Sequence, residues 1–418
     1  MARVAIDVDD STERLAERVA AQRAKPGFAL DAYFYQSPRV YHKELDEILY
    51  KSWLYAGHVS EVPNPGDYFL YELGEDSIIV VRDQGGAVHA LMNICRHRGS
   101  RVCEAAQGNR ASFVCPYHGW TYNLDGSLKA ARAMQVKPGF EPAHYGLKTA
   151  RCVVYEGLIF VNMDPQAANF EAALRTIEPA LHPYRLPSAK IAHRQVYAVE
   201  ANWKLVLENY QECYHCATAH RAYAKLHTIE RLEGEVQDIT ASMLERAKRQ
   251  TGVPGITHAH YQAYGASAGF GTCVYTSRYA LYDGYLTGSE GGQPVAPLMG
   301  EFKGYDGGAG DFQIGPLAFM LNYPDHCVLY RFTPRSLTST DMELVWFVRG
   351  DAEEGRDYDR GAVTWLWDRT TREDEYIISR NSAGVNSRFF EPGPYHPEFE
   401  SLCLDFVDWY LDALEQPQ

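Results

Sequence analysis

Two short motifs place cysteine and histidine side chains where they can bind metal. Cys95-x-His97 and Cys115-x2-His118 each offer one thiolate and one imidazole. Zinc sites in small domains usually combine Cys-x2-4-Cys knuckles with a His-x3-5-His helix, so that each pair carries one ligand type. A mixed pair in each loop suits a two-iron cluster held by cysteine on one iron and by histidine on the other. The pattern favours a [2Fe–2S] cluster, with a structural zinc ion as the alternative.

The residues around these motifs suit two tight and shielded loops. Gly99 and Gly119 follow the histidines and permit sharp turns. Pro116, Tyr117 and Trp120 offer apolar surface that can keep water away from a cluster.

A second pair of imidazoles, His215 and His220, lies in a segment that reads as one helix over Trp203–His220. Five residues of regular helix rotate a side chain by about 140°. Joint ligation of one metal therefore needs a helix end or a distortion between the two histidines, and Cys216–Ala219 would have to provide it. Two histidines and one carboxylate form the three-ligand face of non-haem Fe(II) sites, which leaves positions open for dioxygen. The spacing by itself also fits two polar residues at the end of a core helix.

Composition limits the class of protein. The 418 residues are 46% hydrophobic and carry a formal net charge of −14. These values fit a globular chain long enough for two folding units, or for one large unit with an insertion, and they argue against a nucleic-acid-binding surface. No apolar run reaches transmembrane length, and the acidic segment Met1–Lys25 lacks the apolar stretch of an export signal. We therefore expect a cytoplasmic protein without membrane contact.

The nine dispersed cysteines argue against a disulfide framework, and most should be small buried side chains.

Short strands separated by turn signals predict an all-β unit from Trp53 to about Asp164. Its predicted strands are Asp67–Leu73, Ser77–Arg82, Val88–Asn93, Trp120–Leu124, Ser127–Lys129, Cys152–Tyr155 and Leu158–Asn162.

The remaining chain mixes strands with long helices, which predicts α+β architecture. The predicted helices are Ser11–Arg23, His42–Trp53, Phe170–Leu181, Trp203–His220, Asp359–Ser382 and Glu398–Leu414. The predicted strands are Ile191–Val199, Ala318–Asn322, Cys327–Thr333 and Met342–Arg349, and Gly265–Gly310 is expected to be irregular.

Both sets of metal-binding residues resemble one family. The stretch Asn93–Gly99 together with Cys115–Trp120 resembles the Rieske domain of ring-hydroxylating and related oxygenases. Glu208-Asn209 followed by Glu212-x-Tyr214-His215-x4-His220 is similar to the mononuclear iron motif of the same family. The resemblance extends from about Phe34 to the C-terminal helix.

The resemblance assigns roles to particular residues. Cys95, His97, Cys115 and His118 would bind the Rieske [2Fe–2S] cluster. Mononuclear Fe(2+) would be bound by His215, His220 and, from the late helix, Asp374, with Asp368 and Glu373 as the other candidates. Glu212 and Asn209 would be the catalytic residues. Glu212 would link His215 to His118 of a neighbouring subunit.

The resemblance also implies a fold. An all-β Rieske domain would be inserted into a helix-grip (START-like) catalytic domain with an antiparallel sheet, and the subunits would form a homotrimer. The expected boundaries are residues 1–52 for an N-terminal helical segment of the catalytic domain, 53–165 for the Rieske domain and 166–418 for the mononuclear iron domain.

The implied activity is that of the oxygenase component of a monooxygenase that uses O2. Electrons would come from NAD(P)H through a separate flavin and iron–sulfur reductase, since the sequence has no dinucleotide-binding fingerprint.

The expected substrate class rests on two features: a glutamate where many family members have aspartate, and a segment rich in tyrosine. Many relatives carry Asp where this chain has Glu212, and Glu is typical of the branch that acts on quaternary ammonium compounds such as carnitine, glycine betaine and stachydrine. Tyr279, Tyr282 and Tyr285 offer aromatic faces to such a cation, although each also suits a core. The expected reaction is N-demethylation. Hydroxylation of an aromatic acid, a Rieske electron carrier and a zinc-stabilised binding module are the alternatives.

Overall fold

Two antiparallel sheets, each of seven strands, organise the chain. The computed structural model describes residues 10–250, 258–260 and 270–415. The helices are α1 Thr12–Arg23, α2 Ala32–Gln36, α3 Pro38–Glu44, α4 Phe170–Leu181, α5 Trp203–Tyr210, α6 Cys216–Ala219, α7 Arg221–Ala224, α8 Glu233–Gln250, α9 Arg360–Val385 and α10 Ser401–Glu415. Among the described residues, no helix is both long and apolar enough to cross a membrane.

The strands divide among three sheets. They are β1 Leu54–His58, β2 Asp67–Leu73, β3 Asp76–Arg82, β4 Val88–Met92, β5 Gln107–Asn109, β6 Phe113–Val114, β7 Thr121–Tyr122, β8 Leu128–Ala130, β9 Thr149–Tyr155, β10 Leu158–Asn162, β11 Ala189–Val199, β12 His258–His260, β13 Val274–Ala280, β14 Gly308–Ile314, β15 Ala318–Asn322, β16 Cys327–Ser336 and β17 Ser339–Arg349.

The first sheet has the order β1-β10-β9-β4-β3-β2-β5, and the small sheet β6-β7-β8 completes the predicted all-β unit. Tyr68, Ile79 and Leu91 of the large sheet pack with Phe113 and Trp120 in one buried cluster. This core fixes the two loops that carry the first metal-binding motif.

The N-terminal helices pack on the C-terminal half of the chain. The Glu44 carboxylate at the end of α3 is fully buried and accepts hydrogen bonds from Lys204 Nζ (2.5 Å), Trp203 Nε1 (2.8 Å) and the hydroxyl of Tyr410. A buried charge needs such pairing. Both ends of the chain thus enclose the all-β unit as an insertion. The helix predicted over His42–Trp53 is wrong at its end, because a π-helical turn, Leu45–Leu49, closes it before the first strand.

The second sheet has the order β11-β17-β16-β15-β14-β13-β12, and α9 contacts β11 and α5 on one side of it. Part of Gly265–Gly310 belongs to this sheet, since Val274–Ala280 is a strand that pairs with β14. The irregular structure predicted there is wrong for these residues, because pairing on both edges supplies the order that the Gly-rich sequence lacks; positions 265–269 lie outside the described residues.

Candidate metal centres

Two loops of the all-β unit have the same backbone construction. Gly99 and Gly119 adopt φ of +75° and +73°, a left-handed conformation that favours glycine. In each loop the glycine N–H donates to the cysteine carbonyl, at 2.9 Å and 3.0 Å. Each cysteine N–H then donates to the residue after the glycine, at 2.8 Å in both loops. The expected tight turns are confirmed.

The four predicted ligands of these loops lie together, with the thiols inside and the imidazoles outside. Cys95 and Cys115 are 3% and 2% exposed, whereas both histidines are exposed. The Nδ1 atoms of His97 and His118 lie 3.2 Å apart. This arrangement fits a two-iron cluster with a buried cysteine iron and a histidine iron near the surface.

Shielding of this site differs from the expectation. Trp120 is buried and stacks on the His97 ring, with ring centroids 5.0 Å apart. Pro116 is exposed and Tyr117 is 54% exposed, so neither is enclosed within one chain.

The two thiols have different electrostatic surroundings. Burial raises the pKa of Cys95, which shares a 3.2 Å contact with the Tyr122 hydroxyl. Burial also opposes ionisation of Cys115, but hydrogen bonds from the Tyr117 backbone N–H and from Cys95 lower its pKa overall. Thiolate is the form that binds metal, so the loop backbone around Cys115 favours ligation.

The second candidate centre is built on an interrupted helix. Helix α5 begins after Asn202, whose side chain accepts from the Lys204 N–H, and it ends at Tyr210. The continuous helix predicted over Trp203–His220 is therefore wrong. The helix is interrupted at residues 211–215, up to the first histidine. Between the two histidines the short helix α6 ends at Ala219, where the backbone of His220 leaves the helical conformation, so the expected helix end is confirmed.

The expectation about cysteines also needs a correction here. Cys213 and Cys216 form a disulfide across this break, although no disulfide framework was expected. Backbone N–H groups of Tyr214 and His215 donate to the Glu212 carboxylate, which accounts for a turn in place of further helix.

The ligand atoms of the predicted mononuclear site converge. His220 Nε2 lies 3.0 Å from His215 Nε2 and 2.9 Å from Asp374 Oδ1, and His215 Nε2 lies 3.4 Å from the same oxygen. Bonds of about 2.1 Å at about 90° place neighbouring ligand atoms about 3.0 Å apart on one face of a metal. The donor set and its spacing fit Fe(II).

Each imidazole is oriented by a second carboxylate. His215 Nδ1 donates to Glu212 Oε1 at 2.5 Å, and His220 Nδ1 donates to Glu373 Oε2 at 3.0 Å. These contacts present Nε2 of both rings to the metal position, as in other metal sites. The sequence did not reveal this role of Glu373, which was considered only as an alternative ligand.

The charges at this site are mutually stabilised. Burial opposes ionisation of Asp374, but hydrogen bonds from His215 and His220 lower its pKa. Burial also opposes protonation of His215, yet Asp374 and Glu212 raise its pKa to about 9. A metal cation can replace those protons. Asp368 points elsewhere, since its carboxylate accepts from the Tyr197 hydroxyl at 2.5 Å and from Arg372.

A cavity of about 390 Å3 opens onto this site. Its floor is the face of the second sheet formed by β13–β16, and α5 and α9 contribute to its walls. Asn209, predicted as catalytic, lines it from α5. The aromatic lining residues include Tyr210, Tyr223, Tyr275, Tyr279, Tyr330 and Trp367.

The tyrosine prediction is correct for one residue of the three. Tyr279 lines the cavity, but Tyr282 and Tyr285 do not. The Tyr282 hydroxyl instead donates to Glu230 at 2.7 Å. Side chains alternate between the two faces of a strand, so Tyr275 and Tyr279, which are four residues apart in β13, both face the cavity. Tyr275 was not identified as a lining residue from the sequence, because this segment was expected to be irregular and not a strand.

Two family patterns cover most of the chain. Residues 52–146 match the Rieske [2Fe-2S] domain, and residues 186–416 match the ring hydroxylating alpha subunit (catalytic domain). Both candidate centres lie in these matches.

Curated relatives and solved structures agree with these patterns. The glycine betaine monooxygenase oxygenase subunit of Chromohalobacter salexigens is 35% identical over 385 residues, covering 91% of this chain and 84% of that protein. The carnitine monooxygenase oxygenase subunit of Acinetobacter baumannii is 34% identical over 193 residues, covering 46% and 52%. The crystal structure of a quaternary ammonium Rieske monooxygenase in complex with L-carnitine superposes with a TM-score of 0.68 at 21% identity, covering 94% and 97% of the two chains. The chain therefore belongs to the Rieske-type ring-hydroxylating oxygenases as an alpha subunit, and it is an enzyme whose cofactors are a Rieske [2Fe–2S] cluster and a mononuclear iron.

Proposed function

We propose that this oxygenase hydroxylates an N-methyl carbon of a small quaternary ammonium compound of the betaine type. The observation that carries the proposal is the similarity over 91% of the chain to an oxygenase subunit named for glycine betaine. One atom of O2 enters the methyl group and the other leaves as water, with two electrons and two protons supplied. The hydroxymethyl ammonium product then breaks its C–N bond to give a tertiary amine, formaldehyde and a proton.

Ligand assignments are part of this proposal. Cys95, His97, Cys115 and His118 hold the cluster, and the convergence of their side chains supports this. The mononuclear iron is held by His215, His220 and Asp374, whose ligand atoms lie within 4.8 Å of one another. When bound, the two metal groups supply stored electrons and an open position for O2.

The chain's own residues orient the ligands and exclude water. Glu212 and Glu373 fix the two imidazoles by accepting from their Nδ1 atoms. Tyr223 packs edge-on against Trp367, with centroids 5.3 Å apart, and its hydroxyl lies 3.1 Å from that of Tyr279. Ring faces in such a cavity attract a quaternary ammonium group, which cannot accept or donate an ordinary hydrogen bond.

We include two partners in the proposal. A separate flavin and iron–sulfur reductase supplies electrons from NAD(P)H to a cytoplasmic homotrimer, and Glu212 of one subunit accepts a hydrogen bond from His118 of its neighbour. Two exposed aromatic rings support a subunit contact near both metals, since Tyr117 and Tyr214 are 54% and 57% exposed. Each is adjacent in sequence to a proposed histidine ligand.

Turnover by the holoenzyme tests the substrate class. With a reductase and NADH, glycine betaine or carnitine should stimulate O2 uptake and release one formaldehyde per O2 consumed. Asp374→Asn should abolish both signals, and Asp368→Asn is the matched control because that carboxylate faces Tyr197. Turnover of aromatic acids to phenols or diols, without formaldehyde from the ammonium compounds, would contradict the proposal.

A further inference from the structure

Asp311 places a carboxylate on the floor of the cavity. It lies in β14, where it pairs with Ser277 of β13 and with Leu321 of β15, and all three residues line the cavity. Directly paired residues of antiparallel strands face the same side of a sheet. The Asp311 side chain therefore belongs to the same face as Tyr275 and Tyr279.

The other carboxylates near the metal position have cationic or donor partners. Asp374 accepts from both histidine ligands, and Glu212 accepts from His215. The Arg278 guanidinium is paired with Asp306. Within residues 10–250 and 270–415, no ion pair reaches the carboxylate of Asp311.

Isolation of this charge is costly. Desolvation raises the pKa of Asp311 to about 7, opposed by a hydrogen bond from the Phe312 backbone N–H. Buried carboxylates are normally paired with a cation or neutralised. Asp311 is only half-buried by surface area because its free surface faces the cavity. A ligand in the cavity can therefore reach it.

Aromatic rings surround this carboxylate and connect it to the metal position. The Asp311 charge contributes to the raised pKa of Tyr210, Tyr223 and Tyr279, so their hydroxyls lie within its field. The pKa of Tyr223 is also raised by the Asp374 charge. An anion among ring faces is an environment that stabilises an organic cation more than a neutral group of the same shape.

We propose that Asp311 is the counter-ion for the quaternary ammonium group of the substrate and determines selection of cationic over neutral ligands. This inference rests on the proposed function and adds the residue that recognises the charge. Asp311 touches the substrate but takes no part in ligation of the metal.

A pair of isosteres separates charge recognition from shape. Glycine betaine and 3,3-dimethylbutanoate have the same outline and the same carboxylate, but carbon replaces the cationic nitrogen in the second. Calorimetry on the holoenzyme measures both dissociation constants without turnover. The wild type should bind glycine betaine about thirtyfold or more tightly than 3,3-dimethylbutanoate, whose quaternary carbon is uncharged, in the range for a desolvated charge pair.

Three variants locate the effect. Asp311→Asn keeps the shape and should lower the preference for glycine betaine by about tenfold or more, leaving only the part that the aromatic rings supply, with KM for glycine betaine rising more than kcat falls. Asp311→Glu keeps the charge and should retain most of the preference. Asp341→Asn removes the same charge from β17, outside the cavity, and should leave the ratio unchanged.

The outcomes are distinct. A wild type that does not discriminate between the isosteres, or an Asp311→Asn variant that discriminates as well as the wild type, would overturn the inference while betaine turnover upholds the proposed function. A wild type that neither binds nor demethylates any quaternary ammonium compound would overturn both. If Asp311→Asn does not fold, Asp311→Ser removes the same charge and takes its place in the comparison.

Discussion

Removing the charge of Glu212 should weaken iron binding and slow electron transfer at the mononuclear centre. Its Oε1 accepts from His215 Nδ1 at 2.5 Å, and its Oε2 accepts from the backbone N–H groups of Tyr214 and, at 3.2 Å, His215. The carboxylate is 13% exposed. Glu212→Gln has only one accepting oxygen, so its NH2 group must face a donor on one side.

The magnitude follows from those contacts. A hydrogen bond to a charged group contributes about 1.5–3 kcal/mol, which corresponds to about a 10- to 150-fold change in an equilibrium constant. Outer carboxylates on metal-binding histidines typically change metal affinity or activity by about 10- to 100-fold. We therefore expect Fe(II) affinity to fall by about 10- to 100-fold, whereas the optical and EPR spectra of the Rieske cluster should not change.

Two assays separate positioning of the ligand from electron transfer. Competition with a chelator measures Fe(II) affinity, and rapid mixing of the reduced enzyme with substrate and O2 measures reoxidation of the cluster at saturating Fe(II). Glu373→Gln is the matched control, because it removes the equivalent carboxylate from His220 Nδ1. It should weaken iron but leave reoxidation near the wild-type rate.

Two results would refute the reasoning. Wild-type iron affinity in Glu212→Gln would show that the contact with His215 does not position the ligand. Equal slowing of reoxidation in Glu212→Gln and Glu373→Gln would show that the effect comes only from altered positions of the histidine ligands. A bridge through Glu212 to a neighbouring subunit would then play no part.

Three further predictions concern ligation and stability. Asp374→Ala should lose about one iron per subunit by metal analysis and keep the cluster spectrum; an unchanged iron content would exclude it as a ligand. His97→Cys and His118→Cys should abolish the Rieske EPR signal because the cluster gains negative charge, and an unchanged signal in both would remove the assignment. Burial raises the pKa of Glu208 to about 8, opposed by a hydrogen bond from Tyr35. The native state therefore holds a proton that the unfolded chain releases near pH 4.5, so this group makes the free energy of unfolding fall as pH rises from about 4.5 to 8. Glu208→Gln should reduce that fall, by on the order of 1–2 kcal/mol between pH 5.5 and 7.5 in urea titrations; equal pH dependence in both proteins would contradict it.

Local patterns were sufficient for much of the fold. Strands β2, β10 and β15 and helix α4 have the predicted bounds. Helix α4 has an amphipathic period, whereas β10 and β15 are short apolar runs in which every residue is buried. The domain boundaries at residues 52/53 and 165/166 stay predictions.

Side-chain contacts and strand pairing decided what propensity and spacing did not reveal. The end of α5 at Tyr210 follows from the Glu212 turn and the Cys213–Cys216 disulfide, which no helix propensity reports. Glu373 acquired its partner through a contact with His220 that spans more than 150 residues. Asp311 directly follows a Gly-rich run, and only the pairing of β13 with β14 shows that it lies on the same face as the tyrosines. Propensity and spacing report neither the local side-chain contacts of the first case nor the distant partners of the other two.

The helix end between the two histidines is part of what makes the mononuclear centre possible. On an unbroken helix, His215 and His220 would point about 140° apart and could not share a metal. The non-helical backbone of His220 (φ −117°, ψ 69°) ends α6 between the two histidines, whose Nε2 atoms lie 3.0 Å apart. Asp374 from α9 then completes one side of the metal position, while the cavity lies against the same three residues. The interruption before His215 is held by local contacts, the Glu212 turn and the Cys213–Cys216 disulfide, whereas the third side chain, Asp374, reaches the site from a distant helix. The coordination face therefore combines a locally specified backbone with one long-range contact.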